Sequence, residues 1–296
     1  MTRAIARQFS DGRLHLQDGP IDLIVGAFGA ADEVACAYRA AERRFATILD
    51  ELCDELSLLR AKAGTAARPS GVVAQRMVDA VLPYAANGFI TPMAAVAGAV
   101  AEEILSSMTA AALLARAYVN NGGDIALHLA PGAAFSIGMI DRPDRPSLFG
   151  KAVISAVDNV RGIATSGRHG RSFSLGIADA ATALAATAAA ADAAATVIAN
   201  AVDLPGHPGI TRRPARDFDP QSDLGDRLVT VSVAPLTEGE AARALWRGAA
   251  IAQDLCAAGL IAAAALHLNG KTRLVGAEFT IPLTLIAERE KIHAVG

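Results

Sequence analysis

Between Arg13 and Val25 apolar and polar residues alternate on either side of Asp18-Gly19, so the chain is expected to open with two strands joined by a tight turn. From Ala31 to Lys62 apolar positions recur at helical spacing with no internal glycine or proline, which predicts one long amphipathic helix or two abutting ones, ended by Gly64. A second helix is expected over 72–82, followed by a connector from Pro83 to Pro92 that carries Asn87-Gly88. Met93 to Glu102 then predicts a helix lined by small residues, a surface that another backbone or a ligand can approach closely.

Residues 116–130 look like a strand broken by a turn at Asn121-Gly122-Gly123 and resumed in the alternating Ile125, Leu127, Leu129 series. Strand-like runs follow at 135–140, 151–156 and 161–165, with a proline-rich loop at Arg142-Pro143-Asp144-Arg145-Pro146. From 177 to 202 alanine is so frequent that periodicity cannot separate strand from helix in the first half, whereas Ala188 to Val202 reads as helix. Residues 203–227 carry glycines, prolines and charges without periodicity and are expected to be a loop or insertion. The chain closes with a strand at 228–234, a helix at 237–258 and strands at 261–268 and 272–279 about Asn269-Gly270. Hairpins and helices without regular βαβ alternation predict an α+β fold of mixed or antiparallel sheets with packed helices, one domain over 1–296 or two intimately packed halves.

At 296 residues, 52% apolar and 19% charged, the chain can bury a large core without disulfides. A net charge of -3 with scattered arginines argues against nucleic acid as a partner. Cys36, Cys53 and Cys256 are isolated and not at metal-ligand spacing, and the N-terminal residues hold no apolar run fit for a signal peptide, so a cytoplasmic location is expected. Glu102 and Glu103 interrupt one alanine-rich stretch and Asp179 and Asp192 the other, which argues against membrane spans. The small apolar helix faces make a homodimer an expectation.

The sequence contains no G-x-G-x-x-G, no G-x-x-x-x-G-K-[ST], no H-E-x-x-H, no C-x-x-C and no G-x-S-x-G. Three segments remain. Asn121-Gly122-Gly123-Asp124 sets two residues without a Cβ beside a polar pair, so its N–H groups can approach a phosphate or a ring; as a double glycine it is also ordinary turn punctuation. Thr165-Ser166-Gly167-Arg168-His169 supplies hydroxyls, N–H groups and a guanidinium for an anion, with Arg168 as a clamp. The same segment suits a hydrolase or acyl-transfer enzyme in which His169 activates Ser166 or Thr165, or merely a strand end and a polar loop. Asp192 and Thr196, four apart on a helix, share one face within reach of a single hard cation such as Mg²⁺, the alternative being a solvated aspartate and a threonine bonded to its own helix.

In this order the segments resemble the ApbE-like superfamily, which includes enzymes that split FAD and attach FMN to a protein threonine, and most of all its soluble branch, also labelled thiamine biosynthesis-related. That pattern runs G-P-M-A-A-V-A-G-A-x-A-E, V-x-N-G-G-D-I, T-S-G and A-D-A-x-A-T. It is matched here by Thr91-Pro92-Met93 through Glu102, Val119 to Ile125, Thr165 to Gly167 and Ala191 to Thr196. The resemblance implies an ApbE-like α+β fold and a small-molecule nucleotide ligand, FAD or FMN. Contacts would come from Asn121, Gly122, Gly123 and Asp124 and from Thr165, Ser166, Gly167 and Arg168. It further implies Mg²⁺ on Asp192 and Thr196, completed by a carbonyl between Ala94 and Ala99, and Asp192, Ser166 and His169 as the catalytic candidates. FMN transferases also carry H-x-x-D-P-x-T-G after the T-S-G loop. Here Arg171 to Asp179 reads RSFSLGIAD, without the histidine or the Pro-x-Thr-Gly, so the resemblance extends to a binding or delivery protein that lacks the transfer reaction.

Overall fold

The computed structural model describes residues 4–65, 67–140, 148–276 and 283–285. Its centre is a nine-stranded sheet ordered β1-β2-β3-β4-β5-β8-β9-β12-β13. The strands are β1 (Ile5–Gln8), β2 (Leu14–Asp18), β3 (Ile21–Phe28), β4 (Arg116–Asn121), β5 (Asp124–Leu129), β8 (Gly162–Ser166), β9 (Ala180–Ala185), β12 (Ala263–Leu268) and β13 (Lys271–Val275). Every neighbouring pair in it is antiparallel. A second sheet, β14-β7-β6, comprises β6 (Ala134–Ile140), β7 (Leu148–Ser155) and β14 (Leu283–Leu285). The expected α+β class is therefore what the chain adopts.

Two cores follow from strand alternation. Ala117 and Val119 of β4, Ala126 of β5, Ala164 of β8 and Ala183 of β9 point to one side, into the main core with the helices. Leu127 and Leu129, Ile163 and Leu184 point to the other, where Ile154 of β7 and Phe135 and Ile137 of β6 cover them.

Helix α1 (Ala31–Asp54) buries Ala37, Tyr38, Ala41, Phe45, Ile48 and Leu52, a stripe at three- and four-residue spacing that turns the remaining face to solvent. The short α2 (Leu56–Leu59) abuts it, so the second form of the 31–62 expectation is realised. Helix α3 (Val72–Val81) is followed by a 3₁₀ turn at Pro92–Ala95 and by α4 (Val96–Ala111), which runs nine residues past Glu102. Pro92–Ala111 is long and apolar enough to cross a membrane by length and composition, with mean hydropathy 1.2. In the fold it instead packs between α1 and α5 (Ala188–Ala201), with Glu103 paired to Arg44 at 2.6 Å and to Arg76 at 3.0 Å. The ambiguous half of the alanine-rich stretch is a strand, β9, because all six of its residues are buried between β8 and β12.

The expectation of a plain loop at 203–227 is corrected: Ile210–Pro214 forms a strand, β10, paired antiparallel with β11 (Leu228–Val233). Its pairing partner lies beyond the segment, and arginines and a proline mask its weak apolar alternation, so local pattern could not reveal it. Asp223, also in this segment, accepts a short hydrogen bond from the Thr91 hydroxyl. Helix α6 (Glu238–Ala257) completes the layer, begun by a capping box between Thr237 and Glu240. The proline-rich 142–146 and the end of the expected 272–279 strand lie outside the described residues.

Candidate functional site

Strand parity decides which of the singled-out side chains meet. Asn121 shares a side of β4 with Val119, Asp124 shares a side of β5 with Ala126, and Ser166 shares a side of β8 with Ala164. All three therefore face the helices at one end of the sheet, and Asn121 and Asp124 are directly paired across the turn. Gly122 and Gly123 make that turn with φ of +67° and +114°, values at which a Cβ would be strained. The Asn120 carboxamide oxygen accepts from Gly123 N–H at 2.8 Å and stiffens the turn.

Opposite the strand ends lies the first turn of α4. The buried Asn121 donates from Nδ2 to the Ala97 carbonyl at 3.2 Å, and Gly98 N–H donates to Asp192 Oδ2 at 3.0 Å. Asp192 can come so near because Gly98 has no side chain: a Cβ there would lie 2.3 Å from the Ala188 carbonyl oxygen and 2.5 Å from its carbon. The stripe of small residues in the sequence is thus a backbone-to-backbone crossing of α4 and α5. Gly162 serves the same contact from the sheet, since its Cβ would fall 2.0 Å from the Thr187 carbonyl oxygen.

The result is a pair of carboxylates under protein cover. Burial pushes the Asp124 carboxyl up to about 7, against which the Thr165 N–H, 3.3 Å from Oδ1, and the charge of Arg171 pull it down. Asp192 is only 9% exposed and is pushed well above the ordinary carboxylate range, first by burial and then by the charge of Asp124. Two neighbouring carboxylates that oppose each other's ionisation are stabilised by a proton or a cation beside them.

The rim is exposed at Gly122, Thr165 and Arg171. Arg171 lies over Gly122, where a Cβ would meet its Nη2 at 2.3 Å, and its Nη1 donates to the Pro20 carbonyl at 3.4 Å. It places a positive charge beside Asp124, a role the sequence suggested for Arg168 instead. Arg168 is engaged elsewhere, with Nη2 at 2.6 Å and Nε at 3.0 Å from Asp179 Oδ1. His169 Nε2 lies 3.1 Å from the same oxygen, and Asn269 N–H donates to Asp179 Oδ2 at 2.7 Å. Asp179 thus ties the 167–169 loop to the β12–β13 turn, and Gly167 lets the chain pass, its Cβ position being 2.4 Å from the Asp179 carbonyl.

The Thr165 side chain points to the side of the sheet away from Ser166, with its hydroxyl 2.9 Å from that of Thr182. Thr196 is half-buried one turn beyond Asp192, and no bond from its hydroxyl back to the preceding turn occurs among the described residues. Sequence reasoning missed Arg171 as a site residue and the pairing of Asp124 with Asp192. A basic residue four positions after the T-S-G run was the only local signal for the first. For the second there was none, the two aspartates being 68 positions apart in sequence.

No curated protein matches the chain. Among solved structures, the apo form of the Pseudomonas stutzeri flavinyl transferase ApbE is 12% identical, with 92% of this chain and 93% of that one covered and a TM-score of 0.44. The flavin transferase ApbE from Vibrio cholerae is 13% identical, with 92% and 97% covered and a TM-score of 0.40. A family model described as AbpE bacteria matches residues 6–274, nearly the whole chain, and the chain therefore belongs to that family, as the order of its motifs implied.

Proposed function

We propose that the site at the ends of β4, β5 and β8 binds a flavin nucleotide, FAD or FMN, through its phosphates, together with Mg²⁺. The observation that carries this reading is the neighbouring pair of half-buried Asp124 and buried Asp192, both raised by burial, with Asp192 set against Gly98 N–H of the α4 turn and Asp124 against Thr165 N–H of β8. Among the described residues no cluster of three or more His, Cys, Asp or Glu side chains could hold a metal ion. The donor set nevertheless fits a hard cation: two carboxylates, the Thr196 hydroxyl and a main-chain carbonyl of the Ala97 region, with further oxygens left to a phosphate. Bound there, Mg²⁺ would supply charge neutralisation and polarise a phosphoryl oxygen.

The chain's own residues would divide the remaining work. Gly122 and Gly123 let a ligand approach the main chain, Arg171 attracts its charge at the rim, and Ser166, facing the same side as Asp124, offers a hydroxyl. Asn121 holds the Ala97 peptide in place through its carboxamide.

A second reading, binding without group transfer, is favoured by Asp179. It is the carboxylate of the segment where transferases carry their histidine–aspartate motif, and here Arg168, His169 and the Asn269 amide occupy it. Thr165, whose hydroxyl is turned toward Thr182 on the side of the sheet away from Ser166, is poorly placed to act as a nucleophile at this site.

Titration with FAD and FMN, with and without Mg²⁺, together with chromatography for released AMP, tests the proposal. Saturable binding that needs Mg²⁺ and is lost in Asp192→Ala is expected. Binding without AMP release selects the second reading, and no saturable binding of either flavin ends the proposal.

A further inference from the structure

A different face of the molecule carries a second constellation. On α6, Arg243, Trp246 and Arg247 occupy successive turns of one side, at spacings of three and four, and all three are exposed. Trp246 is the chain's single tryptophan and is 58% exposed, a large apolar surface to leave in water. Arg273 of β13 lies over its ring, 5.0 Å from the centroid. Neither Arg243 nor Arg247 has a hydrogen-bond or ion-pair partner among the described residues.

These side chains line a recess of about 610 Å³ whose other wall is the Leu204-Pro205-Gly206-His207 turn. That wall is held firmly. His207 accepts from Gly209 N–H through Nδ1 at 3.1 Å, which leaves Nε2 to donate to Glu240 Oε1 at 2.9 Å. Glu240 is in turn bound to Thr237 by the capping box, at 2.7 Å from its hydroxyl, so the nearest acid is already satisfied.

We propose that this recess is a binding site for a small planar aromatic anion, a ring bearing a phosphate or comparable charge. Trp246 stacks on the ring, and Arg243 and Arg247 pair with the anionic group. Two guanidinium groups on flexible side chains one helical turn apart can converge on the oxygens of one phosphate, and an indole face recognises a planar ring of adequate size. The site is separate in the fold from the carboxylate pair and stands whether or not that pair binds a flavin.

The single tryptophan makes the site its own reporter. AMP serves as the probe, with adenosine and inorganic phosphate as its two halves, all in an Asp192→Ala background so that the other site contributes no signal. The expected result is saturable change in tryptophan emission with AMP at a Kd below about 1 mM, with each half at least about tenfold weaker. Equilibrium dialysis of AMP should show the same binding, weakened at least about tenfold in the Arg243→Ala/Arg247→Ala double variant. Equal dialysis binding by the parent and the double variant, or inorganic phosphate as strong as AMP, overturns the proposal. So does emission that follows protein concentration rather than AMP, which would make the patch a contact between copies of the chain.

Discussion

Replacing Gly98 by alanine sets two effects of opposite sign against each other. In the middle of an ordinary helix the change would stabilise by about 0.5–1 kcal/mol, because alanine loses less backbone freedom on folding. Here the added methyl would sit 2.3 Å from the Ala188 oxygen, 2.5 Å from its carbon and 2.8 Å from the Ala189 nitrogen. All three are main-chain atoms of the α5 N-terminus, so no rotamer change relieves the overlap, and α4 and α5 must separate by most of an ångström. Overpacking of this kind costs about 3 kcal/mol, the upper part of its usual range, for a net loss of about 2 kcal/mol. The separation also stretches the hydrogen bond from Gly98 N–H to Asp192 and so displaces a member of the proposed site.

Gly88→Ala is the matched control, since a Cβ there meets nothing within 4 Å and its φ is not in the left-handed region. Urea denaturation of both variants gives the comparison. Gly98→Ala should unfold at clearly lower urea and Gly88→Ala within about 0.5 kcal/mol of the parent or slightly above it. If Gly98→Ala is as stable as the parent, the close crossing of α4 and α5 does not hold Asp192 in the manner argued.

The raised carboxyl of Asp124 gives a pH signature in metal-free buffer. With its folded value near 7 and its unfolded value near 3.8, the native state keeps a proton that the unfolded chain has released, so stability from this group falls as pH rises between those values. Asp124→Asn should therefore gain on the parent from pH 5 to pH 8 in urea melts, by about 2–3 kcal/mol across that range; a difference independent of pH would refute the assignment. The two neighbouring arginines should separate by phenotype. Arg171→Ala is expected to weaken flavin-nucleotide binding about tenfold or more with an unchanged urea midpoint, as loss of a charge-assisted contact requires. Arg168→Ala should lower the midpoint by stranding Asp179, and the reverse pattern would return the clamp to Arg168.

Local pattern carried much of this fold. The strand alternation of β2, β3 and β5 and the helical stripe of α1 are written in residues adjacent in sequence, and they appear where periodicity put them. The N-G-G-D run was legible as a close-approach turn for the same reason: glycine at positive φ is a local requirement. Tertiary structure alone decided that β9 is a strand, because the alanine-rich stretch around it has no clear period and only its burial between two neighbours selects extended backbone. It decided as well that β10 pairs with β11, that Arg171 stands beside Asp124 while Arg168 pairs with Asp179, and that Asp124 and Asp192 are neighbours. A carboxylate's protonation depends on which charges and how much water surround it in three dimensions, and a separation of 68 positions keeps that information out of any motif.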